Sequence, residues 1–242
     1  MKALRKVFKF LSFILDTNLI LGEDYLGFQL LSRFRNMSKL LKGTTTLGIV
    51  CKDGVILGTD TRATAGRFIA HKRAKKVYKI NDRLALTIAG GVAVAQKIVD
   101  ILRANSFLFS VNYNRSLSVS AASHFISNVV SQNWEAGTPL PIQLLIGGAD
   151  DTGFHIFDLD PFGGLTEEKC VSTGSGSPIA YGVLEAEYRE DRPVEEMLPI
   201  VVKAVNSAMK RDSASGDSFD VAVISNEGYK ELTEQEKKAL LD

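Results

Sequence analysis

The segment Lys42–Gly48, KGTTTLG, marks the point at which the character of the chain changes. Residues 1–43 combine a basic start with an apolar middle, whereas Thr44 opens a run of three β-branched threonines followed by apolar residues. β-Branched residues fit the pleated surface of a sheet. The pattern therefore predicts that the first strand of a folded domain begins here, with hydroxyl groups at its start.

Composition limits the classes of function. The 242 residues are 45% hydrophobic, which is enough for one globular domain with a sizeable core. Lys and Arg number 29 against 28 Asp and Glu, so the net charge of +1 provides no broad basic surface for nucleic acid. Two cysteines in strand-like runs fit buried positions in a reducing compartment better than a disulfide framework. The three histidines lack metal-ligand spacing, so no zinc site is expected.

The N-terminal segment allows several interpretations. Its basic start and apolar middle resemble a secretory signal, but Asp16 interrupts the apolar run and no small-residue cleavage site follows. The run is also too short and too interrupted to span a bilayer. A surface-lying helix, a removable leader, and a true start at Met37 remain open alternatives.

Strand and helix patterns follow one another from Thr45 onward. Asp53-Gly54 and Asn81-Asp82 are turn sequences between short β-branched runs, which predicts two hairpins. Apolar residues spaced near a 3.6-residue period predict helices. The predicted strands are Thr45–Cys51, Val55–Thr59, Lys76–Ile80, Leu84–Ile88, Ile142–Ile146, Phe154–Leu159, Cys170–Thr173 and Phe219–Ser225. The predicted helices are Val92–Leu108, Ser118–Trp134, Ile179–Tyr188 and Val194–Arg211.

This order predicts an α+β fold. Hairpins separated by pairs of helices favour antiparallel sheets with segregated helices over a parallel βαβ fold. Two such halves predict a four-layer α/β/β/α sandwich, in which two antiparallel sheets face each other and helices flank them. The segment Gly147–Asp151 is predicted to be a turn between two strands.

Several common chemistries lack their motifs. The Gly174–Ser177 segment does not follow the GxxxxGK[ST] pattern, so nucleotide binding is not expected. No GxSxG segment occurs, which argues against a serine hydrolase with a histidine base. A cut between Gly43 and Thr44 would instead place an α-amino group, with a pKa near ~8, beside the Thr44 hydroxyl. Gly43 would let that hydroxyl approach the carbonyl group closely.

Six motifs stand out along the chain. They are Gly43-Thr44-Thr45-Thr46, Gly58-Thr59-Asp60-Thr61-Arg62 with Lys75-Lys76, Ile88-Ala89-Gly90, Gly147-Gly148-Ala149-Asp150, Ser172-Thr173-Gly174-Ser175-Gly176-Ser177 and Arg211-Asp212-Ser213-Ala214-Ser215-Gly216. Together they resemble the proteasome β subunit family of archaeal type, from Thr44 to about Tyr229. The resemblance implies an N-terminal nucleophile hydrolase fold, with residues 1–43 as a leader and residues 44–242 as the catalytic domain.

The resemblance also implies roles for single residues. Thr44 would be the nucleophile, with Lys76 relaying protons and Asp60 keeping that lysine charged and oriented. Gly90 would offer its backbone N–H to the developing oxyanion. The residues that would orient the threonine amine and hydroxyl are Ser175, Asp212 and Ser215. From the residues alone, Asp60 and Arg62 could instead form a turn ion pair, and Lys76 could belong to an exposed basic cluster.

The positions that match the family's primary pocket are small or apolar, namely Ala63, Ala74, Ile88 and Val92. Such a pocket would favour cleavage after hydrophobic residues. Core packing is the alternative explanation for Ile88 and Val92.

The expected function is therefore that of a threonine endopeptidase subunit of the proteasome core particle, activated by autocatalytic cleavage between Gly43 and Thr44. The alternatives are a catalytically silent subunit of the same ring, and a small-molecule amide hydrolase with an N-terminal nucleophile. The resemblance implies a cytoplasmic complex of stacked seven-membered β and α rings, fed with unfolded polypeptide by an ATPase ring. It implies no metal or organic cofactor, no nucleic acid and no membrane partner.

Overall fold

The computed structural model describes residues 43–138 and 140–241, and it does not describe the side chain of Val92. Residues 1–42 lie outside this part, together with the candidate start at Met37. Gly43, which is buried, is therefore the only residue of the expected leader that the structure describes.

Twelve strands and five helices are found in the described residues. The strands are β1 (Thr45–Cys51), β2 (Gly54–Asp60), β3 (Ala63–Ala65), β4 (Phe68–His71), β5 (Val77–Asn81), β6 (Leu84–Gly90), β7 (Ile142–Asp150), β8 (Gly153–Leu159), β9 (Leu165–Glu168), β10 (Cys170–Gly174), β11 (Phe219–Ser225) and β12 (Gly228–Glu231). The helices are α1 (Val92–Tyr113), α2 (Val119–Glu135), α3 (Ser177–Glu187), α4 (Val194–Arg211) and α5 (Glu234–Ala239).

The strands form two five-stranded antiparallel sheets and one separate hairpin. Sheet I has the order β10-β1-β2-β11-β12, and sheet II has the order β5-β6-β7-β8-β9. Strands β3 and β4 pair only with each other. In sheet I, β1 pairs with β2 in the predicted hairpin and with the distant strand β10. These pairings bring the start of β1 next to the end of β2 and the end of β10.

Three hydrophobic clusters hold the elements together. One joins sheet II to α1 and α2, and a second joins sheet I to α3 and α4. The third contains side chains from both sheets, such as Leu57 of sheet I with Leu145 and Ile156 of sheet II. The alternating pattern of the strands explains this, because successive side chains point to opposite faces of a sheet.

The α+β class is confirmed by these helices and antiparallel sheets. The predicted turn at Gly147–Asp151 is wrong, because residues up to Asp150 continue β7. A Cβ at Gly147 would lie 3.0 Å from Val55 Cγ1, so glycine here permits close approach of the sheets. Helix α1 extends to Tyr113, beyond the predicted end at Leu108.

Several short elements were not predicted. They are β3, β4, β9, β12 and α5, none longer than six residues. Among the described residues, no helix is both long and apolar enough to cross a membrane.

Candidate active site

Thr44 lies immediately before β1 and is buried. Its hydroxyl donates a hydrogen bond to the carbonyl oxygen of Gly43. Its backbone N–H donates to Ser175 Oγ at 3.4 Å, and its carbonyl accepts from the N–H of Gly176 at 3.4 Å. The pairing of Thr45 with Gly174 explains these contacts, because it carries the segment after β10 to the start of β1.

Asp60, at the end of β2, accepts hydrogen bonds on both carboxylate oxygens and has no exposed surface. Oδ1 accepts from Lys76 Nζ at 2.7 Å and from the backbone N–H of Thr45 at 2.9 Å. Oδ2 accepts from the backbone N–H groups of Arg62 at 2.9 Å and Gly216 at 3.0 Å. A single buried carboxylate thus joins the predicted lysine to the peptide group that follows Thr44.

Lys76 is buried, with 7% of its surface exposed, so it does not belong to an exposed basic cluster. Burial lowers the pKa of Lys76 below its usual value, and the nearby Asp60 carboxylate opposes this effect without cancelling it. The Asp60 carboxylate therefore favours the charged form of the lysine, but burial has the larger effect on the pKa. A lysine in this position releases a proton more readily than an exposed lysine does.

A second polar network surrounds Asp212, at the end of α4. Asp212 Oδ2 accepts hydrogen bonds from the hydroxyls of Ser175 at 2.5 Å and Ser215 at 2.6 Å. Because the Ser175 proton is directed to Asp212, its oxygen is free to accept the N–H of Thr44. Ser215 Oγ also lies 2.7 Å from the hydroxyl of Thr45. The structure therefore brings Ser175, Asp212 and Ser215 together beside Thr44.

Gly90, at the end of β6, has a φ of +119°, which favours glycine. A Cβ at this position would lie 2.1 Å from the carbonyl oxygen of Pro141. The structure therefore gives a packing reason for glycine, in addition to the predicted role of its N–H. Nearby in β6, the N–H of Ile88 donates to the carbonyl of Lys76 at 3.0 Å.

The predicted pocket residues differ in their surroundings. Ala63 and Ala74 are partly exposed, and the N–H of Ala74 donates to the carbonyl of Thr61 at 2.8 Å. Ile88 is 5% exposed and packs into the cluster between sheet II and its helices, as the core-packing alternative expects. The side chain of Val92 lies outside the described residues.

Sequence reasoning missed the role of Arg62. Its guanidinium donates from Nε to Asp217 Oδ2 at 2.8 Å and from Nη1 to the carbonyl of Ser213 at 3.0 Å. The suggested turn ion pair with Asp60 is therefore wrong, since only the backbone N–H of Arg62 contacts that carboxylate. The only sign of the Arg62–Asp217 contact in the sequence was that Asp217 directly follows the Arg-Asp-Ser-Ala-Ser-Gly motif.

Other reactive side chains of the described residues do not form a second centre. No group of three or more His, Cys, Asp or Glu side chains there is arranged to hold a metal ion. Burial raises the pKa of both the Cys51 and the Cys170 thiols to about 12, so the thiols stay protonated.

Comparisons with a family model and with individual relatives indicate the same family. A family model described as "Proteasome subunit" matches residues 40–224. The chain is 49% identical over 205 residues to the proteasome subunit beta of Ferroglobus placidus, covering 84% of this chain and 97% of that protein. It is 48% identical over 199 residues to the proteasome subunit beta of Methanosphaerula palustris, covering 82% and 93%. It is 46% identical over 204 residues to proteasome subunit beta 2 of Nitrosopumilus maritimus, covering 84% and 96%.

Proposed function

Since this chain belongs to the proteasome subunit family and is a β subunit by homology, we propose that it is a threonine endopeptidase that hydrolyses peptide bonds of unfolded proteins. The observation that carries this proposal is the buried Lys76–Asp60 pair, whose shared carboxylate also binds the N–H of Thr45. A structural subunit has no need to bury a lysine beside its first strand, because burying a charge is costly.

The first reaction is removal of the leader. The hydroxyl oxygen of Thr44 attacks the carbonyl carbon of Gly43, to whose oxygen it is already hydrogen bonded. The Gly43–Thr44 C–N bond breaks, the hydroxyl proton ends on the Thr44 nitrogen, and an ester joins Thr44 Oγ to Gly43. Water then hydrolyses the ester, which gives the leader a carboxyl group and restores the Thr44 hydroxyl.

The second reaction is cleavage of substrate peptide bonds. The freed amine of Thr44, with an ordinary pKa near ~8, accepts the hydroxyl proton as Thr44 Oγ attacks a substrate carbonyl. That proton passes to the leaving amine, and water later hydrolyses the acyl ester. Ser175 and Asp212 orient the Thr44 nitrogen, while Lys76 stabilises negative charge on Oγ. The N–H of Gly90 stabilises the oxyanion.

The proposal includes the arrangement of the sheets and helices, the assembly of the subunit into rings and its cleavage preference. The two sheets and their flanking helices form the four-layer sandwich of an N-terminal nucleophile hydrolase. The subunit assembles into seven-membered β rings that stack between α rings, and an ATPase ring delivers unfolded polypeptide in the cytoplasm. The uncharged side chains of Ala63 and Ala74 support cleavage after hydrophobic residues.

The decisive experiment replaces the nucleophile. After co-assembly with the α subunit, Thr44→Ala is expected to keep its leader and to lose peptidase activity, because the attacking oxygen is gone. Thr44→Ser is the matched control, since it restores a hydroxyl at the same position. Intact mass reports the leader, and hydrolysis of a fluorogenic peptide reports activity.

Two outcomes contradict the proposal. Full activity in Thr44→Ala would rule out this nucleophile. A wild-type subunit that keeps its leader after assembly would favour the catalytically silent alternative.

A further inference from the structure

Gly43, the residue before the cleaved bond, lies in a narrow space between β3 and the loop after α4. Its neighbours there are Thr64 of β3 and Ala214 of the loop. We propose that the side chain of Thr64 sterically disfavours any residue except glycine at this position and so contributes to the choice of leader residue that the cleavage reaction accepts. The inference rests on the proposed removal of the leader.

One atom blocks the space that the Cβ of a side chain at residue 43 would occupy. A Cβ on residue 43 would lie 2.3 Å from Thr64 Oγ1, a separation at which something must shift. The next contacts, with Thr64 Cβ at 3.6 Å and Ala214 Cβ at 3.7 Å, are ordinary. The hydroxyl of Thr64 is thus the atom that excludes a side chain.

The backbone adds a separate restriction. Gly43 has a φ of +122°, a region that residues with a side chain rarely adopt. Glycine is therefore favoured for two reasons, one conformational and one steric. Removing the atom at the Oγ1 position of residue 64, as Thr64→Ala does, abolishes only the steric reason, which allows the two effects to be separated.

Thr64 is held in place by its own hairpin. It pairs with Ile69 in β4, and its branched side chain has restricted rotation in a strand. The base of the hairpin is fixed because the hydroxyl of Thr61 donates to the carbonyl of Lys72 at 2.8 Å. Turning χ1 of Thr64 replaces the hydroxyl with either a methyl group or a hydrogen, and only the hydrogen removes the contact.

A residue larger than glycine would therefore displace the peptide group that is cleaved. The Thr44 hydroxyl is hydrogen bonded to the Gly43 carbonyl oxygen, so movement of Gly43 also moves the reacting carbon. Displacements of about 1 Å can slow a reaction by roughly 100-fold. We expect Gly43→Ala to slow leader removal by about 100-fold for this reason.

The test is a double-mutant comparison in the subunit co-assembled with its α partner. Leader removal is timed by intact mass in Gly43→Ala, in Gly43→Ala with Thr64→Ala, and in Gly43→Ala with Thr64→Val. The alanine at position 64 should speed removal by about tenfold or more relative to Gly43→Ala alone, without restoring the wild-type rate because the φ restriction remains. The valine should give no recovery, because it keeps a branched side chain of the same shape.

Controls separate the inference from the proposed function. Each Thr64 variant is also timed with Gly43 in place, and thermal unfolding midpoints identify variants that do not fold. Ala214→Gly combined with Gly43→Ala should give no recovery, because Ala214 is already at a normal distance. Equal slow rates with and without Thr64→Ala, in folded subunits, would overturn the role of Thr64 while leaving the proposed function intact. A wild-type subunit that never loses its leader would instead overturn the proposed function, and this inference with it.

Discussion

At the scale of single residues, Asp60 is the described side chain that joins the most parts of the candidate active site. Its carboxylate accepts four hydrogen bonds, and one of them comes from a buried ammonium group. Removing the negative charge would leave Lys76 buried without its hydrogen-bonded counter-charge, which is among the costliest changes in a protein interior.

Asp60→Asn is therefore expected to reduce both activity and stability. An asparagine has one acceptor oxygen where the carboxylate has two, so at least one backbone N–H loses its partner. We expect a loss of about 3 kcal/mol or more in the free energy of unfolding, together with a large loss of peptidase activity. Urea unfolding and a peptide assay measure the two effects. Asp82→Asn, at a side chain that is 81% exposed, is the control, and equal behaviour of the two variants would refute the prediction.

Asp158 in β8 is a residue at which pH should change stability. Burial and the nearby Asp160 and Glu168 raise the pKa of its carboxyl group to about 6. The native state thus binds a proton more tightly than the unfolded chain, so stability falls as pH rises from about 4 to 6.

Asp158→Asn should remove this penalty. At pH 7.5 we expect the variant to be more stable than the wild type by about 1 kcal/mol, a value reduced for the partial exposure of the group. At pH 4.5 the two proteins should be similar. Urea unfolding at both pH values measures this, with the exposed Asp191→Asn as control. A stability difference that does not change with pH would contradict the assignment.

The sequence contained more information about some residues of the site than about others. Thr44, Asp60 and Lys76 occur in short local motifs that resemble those of a known family, and this resemblance predicts their joint use. The Arg62–Asp217 pair was not predicted, because its partners are 155 residues apart and only the fold brings them together.

At the scale of elements, long runs of β-branched or periodic apolar residues were sufficient for prediction. Strand β11 and helix α4 have the predicted bounds, Phe219–Ser225 and Val194–Arg211. The short strands β3 and β12 were missed because three or four residues give too little periodicity. Gly147-Gly148 was misinterpreted because glycine favours turns locally, whereas here Gly147 permits the two sheets to approach and Gly148 lies close to the carbonyl of Arg83.

Helix α5 gives a prediction at this scale. Lys237, although charged, is buried and donates from Nζ to the carbonyl of Phe219 at 2.9 Å, to Asp220 at 3.1 Å and to Glu234 at 2.7 Å. It thus fastens α5 to the start of β11, where Phe219 pairs with Asp60.

Lys237→Met should loosen this attachment, because methionine fills the space but cannot donate hydrogen bonds. We expect a loss of about 2 kcal/mol in the free energy of unfolding and faster hydrogen exchange in α5. Lys238→Met is the matched control, since Lys238 is the next residue in the chain and its side chain is exposed. Identical exchange rates in the two variants would show that Lys237 does not hold the helix.

At the scale of the whole molecule, the fold class could be predicted but the strand order could not. The pairing of β1 with β10 and of β2 with β11 joins strands that are far apart in sequence. Local patterns indicate which residues face a core, yet they do not specify which distant strand is the neighbour.

The surface leads to a prediction about assembly. The second half of α1 exposes large apolar side chains, including Phe107 at 67% and Val111 at 63%. Exposed apolar side chains close together often mark contacts between proteins. We expect both the wild type and Thr44→Ala to form large ring complexes with the α subunit, measured by size exclusion with light scattering. A monomer or small oligomer under these conditions would favour a small-molecule hydrolase.

The hydrogen bond between the Thr44 N–H and Ser175 has a consequence for timing. It exists while the Thr44 nitrogen is still part of a peptide bond, so the contacts of this nitrogen with Ser175 and of Ser175 with Asp212 are present before cleavage. Under the proposed mechanism, activation then requires the acyl shift and hydrolysis of the ester, with no rearrangement of these side chains. Peptidase activity should rise in step with the newly formed N-terminus, without a lag phase.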